Sequence, residues 1–191
     1  MAVALLGGAG VGFGIAAARL AADPRQAWVI VGGALGGLLV GAVVKLVGLD
    51  TFTLLVGRTP GDITGAPEGA LLGAAIGLAA WLAERTPAPL SPRRGAAWGT
   101  LAGAIAGALI PVLGGRLLLG SLDLLVRDFP GARLRLEPVG ALLGEPGIGP
   151  LTQAVTGALE GGLFGGCLVG AMIWARRALM TPPAYPRAAA M

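Results

Sequence analysis

Histidine is absent from the 191 residues, and cysteine occurs once, as Cys167. Without histidine the commonest general base is missing. A lone thiol can neither close an intramolecular disulfide nor build the clustered Cys and His ligands of the usual zinc sites. No P-loop, Rossmann fingerprint, nucleophile elbow or metal-ligand cluster is present. Gly10-Val11-Gly12-Phe13-Gly14-Ile15 resembles part of a dinucleotide fingerprint. It lies in an apolar stretch with no preceding strand, so it is set aside. These absences predict a protein that is not an enzyme and that takes neither cofactor nor metal. Cys167, in an apolar segment, is expected to be a small buried hydrophobe.

Charge is also scarce. Only 13% of residues are charged, against about 25% in an average soluble domain. Hydrophobic residues make up 55% and glycine adds 35 more positions; the mean hydropathy is +0.80. A water-soluble fold of this composition would have no polar surface to show. Glycine does not recur every third residue, which excludes collagen, and the chain is too hydrophobic for disorder. An all-α integral membrane protein remains, with membrane lipids as its first partner. The net charge of +4 does not point to nucleic acid, because the arginines sit at the ends of apolar segments rather than in a patch. Of the fourteen basic residues only Lys45 is a lysine. That bias accompanies GC-rich bacterial coding and points to a bacterial inner membrane.

A spanning helix needs roughly 20 mostly apolar residues, and five stretches qualify. The first transmembrane helix falls within residues 1–26. Residues 27–96 hold two more, 27–49 and 66–84, and residues 97–178 hold the last two, 95–113 and 151–175. A polar insertion occupies about 127–150, and 179–191 form a C-terminal tail. Breakers separate the segments: Asp23-Pro24, Thr59-Pro60-Gly61, Thr86-Pro87 and Thr181-Pro182-Pro183. The first segment has no basic residue before its apolar run and Arg19 after it, the reverse of a signal peptide, so it is expected to be retained. With five spans, Arg19, Arg25, Arg85, Arg93, Arg94, Arg176, Arg177 and Arg187 fall opposite the N-terminus. Lys45, Arg58, Arg116, Arg127, Arg133 and Arg135 share the N-terminal side, spread over longer connections. Basic density therefore predicts an outer N-terminus and a cytoplasmic C-terminus.

The chain is self-similar. Thr64-Gly65-Ala66-Pro67-Glu68-Gly69-Ala70-Leu71-Leu72-Gly73 and Thr156-Gly157-Ala158-Leu159-Glu160-Gly161-Gly162-Leu163-Phe164-Gly165 agree at seven of ten positions. Each continues to a Gly-x-x-x-Trp, Gly77 to Trp81 and Gly170 to Trp174, and ends at Arg85 or Arg177. Upstream, Trp28, Gly33 and Gly37 match Trp98, Gly103 and Gly107 at an offset of 70. The pattern predicts a tandem duplication of a two-helix unit: repeat 1 over 27–96 and repeat 2 over 97–178. An even number of spans per copy makes the repeats parallel, related by a pseudo-two-fold axis along the membrane normal.

Glycines four apart run along every span, a glycine-zipper pattern. The rows include Gly33, Gly37 and Gly41; Gly69, Gly73 and Gly77; Gly99, Gly103 and Gly107; and Gly157, Gly161 and Gly165. Residues i and i+4 share a helix face, so each row is a groove in which a second backbone can approach. The second and fifth spans carry glycine on adjacent faces and are expected to touch two neighbours each, at the centre of the bundle.

Two acids interrupt the apolar pattern. Glu68 and Glu160 occupy equivalent places in the two copies and form a candidate transport or polar pair, since an acid within a span suggests function. The structural alternative has Thr64 capping its helix, with Glu68 in the first turn. Glu160 is expected about two turns into a helix starting near Thr152. The extensions Leu49 to Val56 and Leu119 to Val126 outrun the bilayer; breaks at Gly48 and at Gly114-Gly115 would make them interfacial or re-entrant. The expected function is a non-enzymatic subunit that assembles with other membrane subunits or with itself. The alternative is a small channel or transporter using Glu68 and Glu160.

Overall fold

The structure, a computed structural model, describes residues 2–21, 28–59, 63–85, 91–129 and 134–180. The expected breakers Asp23-Pro24, Pro60-Gly61, Thr86-Pro87 and Thr181-Pro182-Pro183 lie outside the described residues, as do Arg25, Arg133, Arg187 and the tail beyond Met180. Among the described residues there are helices and no strand. They are α1 (Ala2–Ala21), α2 (Trp28–Val56), α3 (Ala66–Arg85), α4 (Pro92–Val112), α5 (Leu118–Asp128), α6 (Glu137–Ala141) and α7 (Pro150–Met180). Four of them, α2, α3, α4 and α7, are long and apolar enough to cross a membrane. The fifth expected span, α1, is helical, but its apolar stretch Leu5–Leu20 is shorter.

Glycine sets how closely the helices pack. Between α2 and α3, Gly33 faces Gly73, Gly37 faces Gly69, and Gly41 faces Gly65, the residue just before α3. In α4 and α7, Gly99 faces Gly165, Gly103 faces Gly161, and Gly107 faces Gly157. Gly10 and Gly14 of α1 meet Gly36 and Gly32 of α2. At each of these places a methyl group on one glycine would overlap the carbonyl of the other, so backbone touches backbone. The residue numbers rise on one helix as they fall on the other, so all three pairs are antiparallel. Close approach is what stabilises helix pairs in lipid, where burying apolar surface gains little and dispersion and Cα–H···O contacts remain.

The centre follows the expectation for α7 but not for α2, whose place α3 takes. α3 packs against α1, α2, α4 and α7, and α7 against α1, α3, α4 and α5. α2 sits to one side, using Gly32 and Gly36 against α1 and Gly33, Gly37 and Gly41 against α3. Both glycine rows of α7 serve one neighbour: Gly162, Gly166 and Gly170 meet Thr100 and Ala96 of α4 beside the main seam. α4 thus seats in a broad trough, and α7 reaches α3 through larger side chains. The buried core joins Val11 and Ile15 of α1 to Ile76, Ala79 and Ala80 of α3 and to Val169 and Ile173 of α7. Cys167 is exposed rather than buried. It falls with Leu159, Leu163, Ala171 and Trp174 on the outward stripe of α7, opposite the glycine rows that fill the packed face.

The two extensions behave differently. α2 runs unbroken through Gly48 to Val56, so no interfacial or re-entrant segment forms there. Thr51 and Thr53 satisfy their hydroxyls on the carbonyls of Val47 and Leu49, at 2.6 and 2.8 Å, and so remain in the helix. α4 does break, and α5 follows as a separate helix. Phe129, just past α5, stacks on Phe52 near the end of α2, with ring centroids 6.0 Å apart.

A methyl group tests the seams directly. Gly37→Ala places its Cβ on the Gly69 backbone, which has no side chain to move aside. It should lower the thermal midpoint in detergent by several degrees, an overpacking cost of about 1–3 kcal/mol. Nothing lies within 4 Å of the same methyl at Gly12. Gly12→Ala should be neutral or gain up to about 1 kcal/mol from helix propensity. Equal midpoints for the two variants would contradict the close seam.

Candidate functional site

The break after α4 is a designed stop. Pro111 removes the N–H that would have bonded the carbonyl of Gly107. Gly114 then takes φ +85°, open to glycine and strained for other residues. Gly114 N–H donates to Pro111 O at 3.0 Å and Gly115 N–H to Ile110 O at 2.9 Å, the paired bonds of a Schellman ending. The chain then turns back into the bundle. Leu117 is buried, and its Cδ1 would lie 3.3 Å from a Cβ at Gly157, the residue facing Gly107. Gly107 precedes the end of α4 by five residues, roughly 7 Å at 1.5 Å per residue.

A helix that starts at this depth brings unpaired N–H groups with it, and both candidate acids meet them. Glu160 Oε2 accepts from Leu118 N–H at 2.9 Å and Oε1 from Leu119 N–H at 3.3 Å, the first two residues of α5. Glu68 Oε1 accepts from Arg116 N–H at 3.4 Å. Its Oε2 accepts from Gly65 N–H at 2.8 Å, which is the return half of a capping box on its own helix. The structure therefore brings Glu68 and Glu160 to one short segment, residues 116–119. Negative charge at the start of α5 also suits its helix dipole. Glu160 lies ten residues into α7, which begins at Pro150, close to the expected start by Thr152; that is roughly 15 Å along the axis.

Thr64 does not cap α3. Its Oγ1 donates to Arg116 O at 2.7 Å and lies 2.9 Å from Ser121 Oγ, while its N–H donates to the same Oγ at 3.2 Å. Ser121 went unnoticed in the sequence because a serine in a leucine-rich stretch carries no spacing signal. Thr156, the counterpart of Thr64, lies inside α7 and bonds Thr152 O at 2.7 Å. Each acid also lines a cavity. Glu160, Thr64, Leu117 and Phe164 border one of about 240 Å³ that reaches Val11 and Val40. Glu68, Ile110 and Gly115 border another of about 270 Å³.

Two further polar centres complete the picture. At the opposite end, Glu84 Oε1 pairs with Arg19 Nη2 at 2.6 Å and with Arg176 Nη1, joining the C-terminal ends of α1, α3 and α7. At the end of an apolar span, Glu84 carries no local signal of this role. An acid in the last turn of one helix, level with arginines closing two parallel helices, is the signal that finds it. Within the expected polar insertion, Glu145 accepts from Leu151 N–H at 3.1 Å, Thr152 N–H at 2.8 Å and Thr152 Oγ1 at 2.5 Å. It caps the start of α7. The insertion also holds α6, and α5 already takes up residues to Asp128, so it is more ordered than a plain loop.

Among the described residues no group of three or more His, Cys, Asp or Glu side chains could hold a metal. Comparison with family models, with curated proteins and with solved structures gives no match.

The hydrogen bonds from Thr152, side chain first and then backbone, hold the Glu145 carboxyl below its ordinary value. A carboxyl depressed by folding contributes stability above its unfolded value and loses it as pH falls through the folded one. The contribution is complete above roughly pH 5 and disappears on further acidification. Wild type should therefore melt above Glu145→Gln at pH 7, and the gap should close as the pH falls below the ordinary carboxylate range and through the lowered folded value. A gap that does not change with pH would show that the ionised carboxylate is not what caps α7.

Proposed function

We propose that this is a non-enzymatic multi-pass protein of the bacterial inner membrane, built by glycine-zipper packing, that serves as a small subunit of a membrane complex or as a homo-oligomer. The observation that carries the reading is the commitment of its polar groups. The carboxylates of Glu68 and Glu160 receive backbone N–H groups, and that of Glu84 bridges two arginines. These are the duties of a scaffold. The main glycine rows of α2, α3, α4 and α7 also face inward and are occupied within the chain. Assembly would therefore use the outward faces, where Leu35, Leu39 and Leu46 of α2 and Leu159 and Leu163 of α7 are exposed.

The reading includes α1 as a fifth span, an outer N-terminus and a cytoplasmic C-terminus. It also includes the tandem duplication. Two antiparallel pairs that each meet along three facing glycines support two parallel copies. The seam aligns Gly33 with Gly99 where Gly73 aligns with Gly165, an offset of 66 rather than the 70 read from Trp28 and Trp98. Four residues are one helical turn, so the first helices of the two copies would differ by a one-turn slide.

Purification from native membranes in a mild detergent tests the assembly. The protein should run with partners or as an oligomer, well above the 18.8 kDa of one chain. An isolated monomer would remove the subunit reading and leave only the packing.

The cavity that Glu160 lines favours one second reading, a small channel or transporter. In proteoliposomes, Glu68→Gln and Glu160→Gln should then abolish ion or solute flux. Unchanged flux, or none in the wild type, leaves the acids as backbone acceptors only.

A further inference from the structure

Between α3 and α4 runs an outward-open groove of about 360 Å³ with almost no polar lining. Leu71, Leu78 and Leu82 form one wall; Trp98, Ile105 and Leu109 form the other. Small residues between them, Ala75 and Ala102 among others, make its floor. The walls are antiparallel, with Leu82 and Trp98 at one end and Leu71 and Leu109 at the other.

Both walls end in the same chemistry. Residues three, four and seven apart share a helix face. On α3 the series Leu71, Leu78, Leu82 continues to Arg85, and on α4 the series Leu109, Ile105, Trp98 continues to Arg94. Both arginines are exposed. The Arg85 guanidinium lies 4.2 Å from the centroid of the Trp81 ring, which holds its charge at this end of the wall. The groove is thus apolar along its length and cationic at one mouth.

Its length identifies the occupant. Trp98 and Leu109 are eleven residues apart, roughly 16 Å at 1.5 Å per residue. One leaflet supplies about half of a hydrocarbon core of roughly 30 Å. An acyl chain running from headgroup to midplane fits that span; a partner helix crossing both leaflets does not. We propose that the α3–α4 groove is a binding site for an anionic phospholipid of the leaflet at the C-terminal end of α3. One acyl chain lies along Leu82 to Leu71, and the phosphate headgroup sits between Arg85 and Arg94. Trp98 stands at the boundary between them, where aromatic rings settle in bilayers.

Lipid titration of the full-length protein in detergent, read by native mass spectrometry, tests the site. Dioleoyl phosphatidylglycerol should bind more tightly than dioleoyl phosphatidylcholine, on the order of tenfold for two basic contacts. Arg85→Gln with Arg94→Gln should remove the preference and leave the helical content and elution volume unchanged. Should the double variant misfold, Arg94→Gln alone should still reduce the preference. Ala102→Leu, which fills the floor, should weaken both lipids, whereas Arg93→Gln, off the groove face, should leave the preference intact. The proposal is overturned by equal binding of the two lipids or by a preference that survives the double variant. It is equally overturned if inorganic phosphate competes fully at the same concentrations, since the acyl chain would then add nothing. A photoreactive side chain at Leu78 that captures a protein rather than lipid in native membranes also overturns it.

Discussion

A backbone N–H in hydrocarbon has no water to bond, and leaving it unpaired costs several kcal/mol. An unbroken helix avoids the problem. A chain that ends one helix and starts another inside the bundle does not, and the turn from α4 to α5 does that. Three N–H groups, those of Arg116, Leu118 and Leu119, find carboxylate oxygens there. An acid within an apolar helix such as α7 carries a desolvation cost, while each hydrogen bond to a charged group returns about 1.5–3 kcal/mol. The break and Glu160 are therefore one device, and Glu68, which already caps its own helix through Gly65 N–H, lends it a second acceptor. Glu68 and Glu160 converge on one segment because that segment is where the unpaired donors are.

The same constraint explains why α2 and α4 diverge after similar starts. α2 has no proline in its last turns, its threonines bond back onto their own helix, and every N–H stays paired to Val56. Gly48 permits a break without requiring one. α4 carries Pro111, which removes a donor, and Gly114, which supplies the positive φ that reverses the chain. The polar contacts of Thr64 and Ser121 then hold α5 against the start of α3. The turn back into the bundle thus depends on a proline and a glycine within four residues, and on acceptors waiting for the donors they expose.

Much of the architecture was legible in the sequence. Composition pointed to the helical class, and the length of the apolar stretches between breakers located α2, α3, α4 and α7 to within a few residues, apart from the longer ends of α2 and α7. Glycine spacing marked the faces at which Gly37 meets Gly69 and Gly103 meets Gly161. Which helix each face would meet was not legible. Both rows of α7 turned to α4, and α3 rather than α2 took the centre, because spacing along one helix says nothing about its partner. Glu68 and Glu160 stood out as acids in apolar surroundings; the bond of Glu68 to Gly65 N–H follows from its place in the first turn, whereas the bonds of both acids to residues 116–119 depend on a chain reversal that no local pattern encodes. Glu84 and Ser121 were missed for a related reason: each acquires its meaning only from residues more than fifty positions away.

The two ends of the bundle solve different electrostatic problems. At the end where α3 begins, the excess is of N–H donors, and carboxylates meet it. At the other end α1, α3 and α7 finish side by side, and each helix terminus carries roughly half a negative charge. Arg19, Arg85 and Arg176 lie in the last turns or near the ends of those three helices and offset it. Arg19 and Arg176 would repel each other if brought together unassisted. Glu84 Oε1 accepts from both, so one carboxylate lets two guanidinia crowd three convergent C-termini. An acid is normally unfavourable at a helix C-terminus, and here its neighbours reverse the sign. The parallel run of α1, α3 and α7 thus rests on an ion triad at one end as the reversal of α4 rests on two acids at the other, with glycine bringing the helices close enough for both.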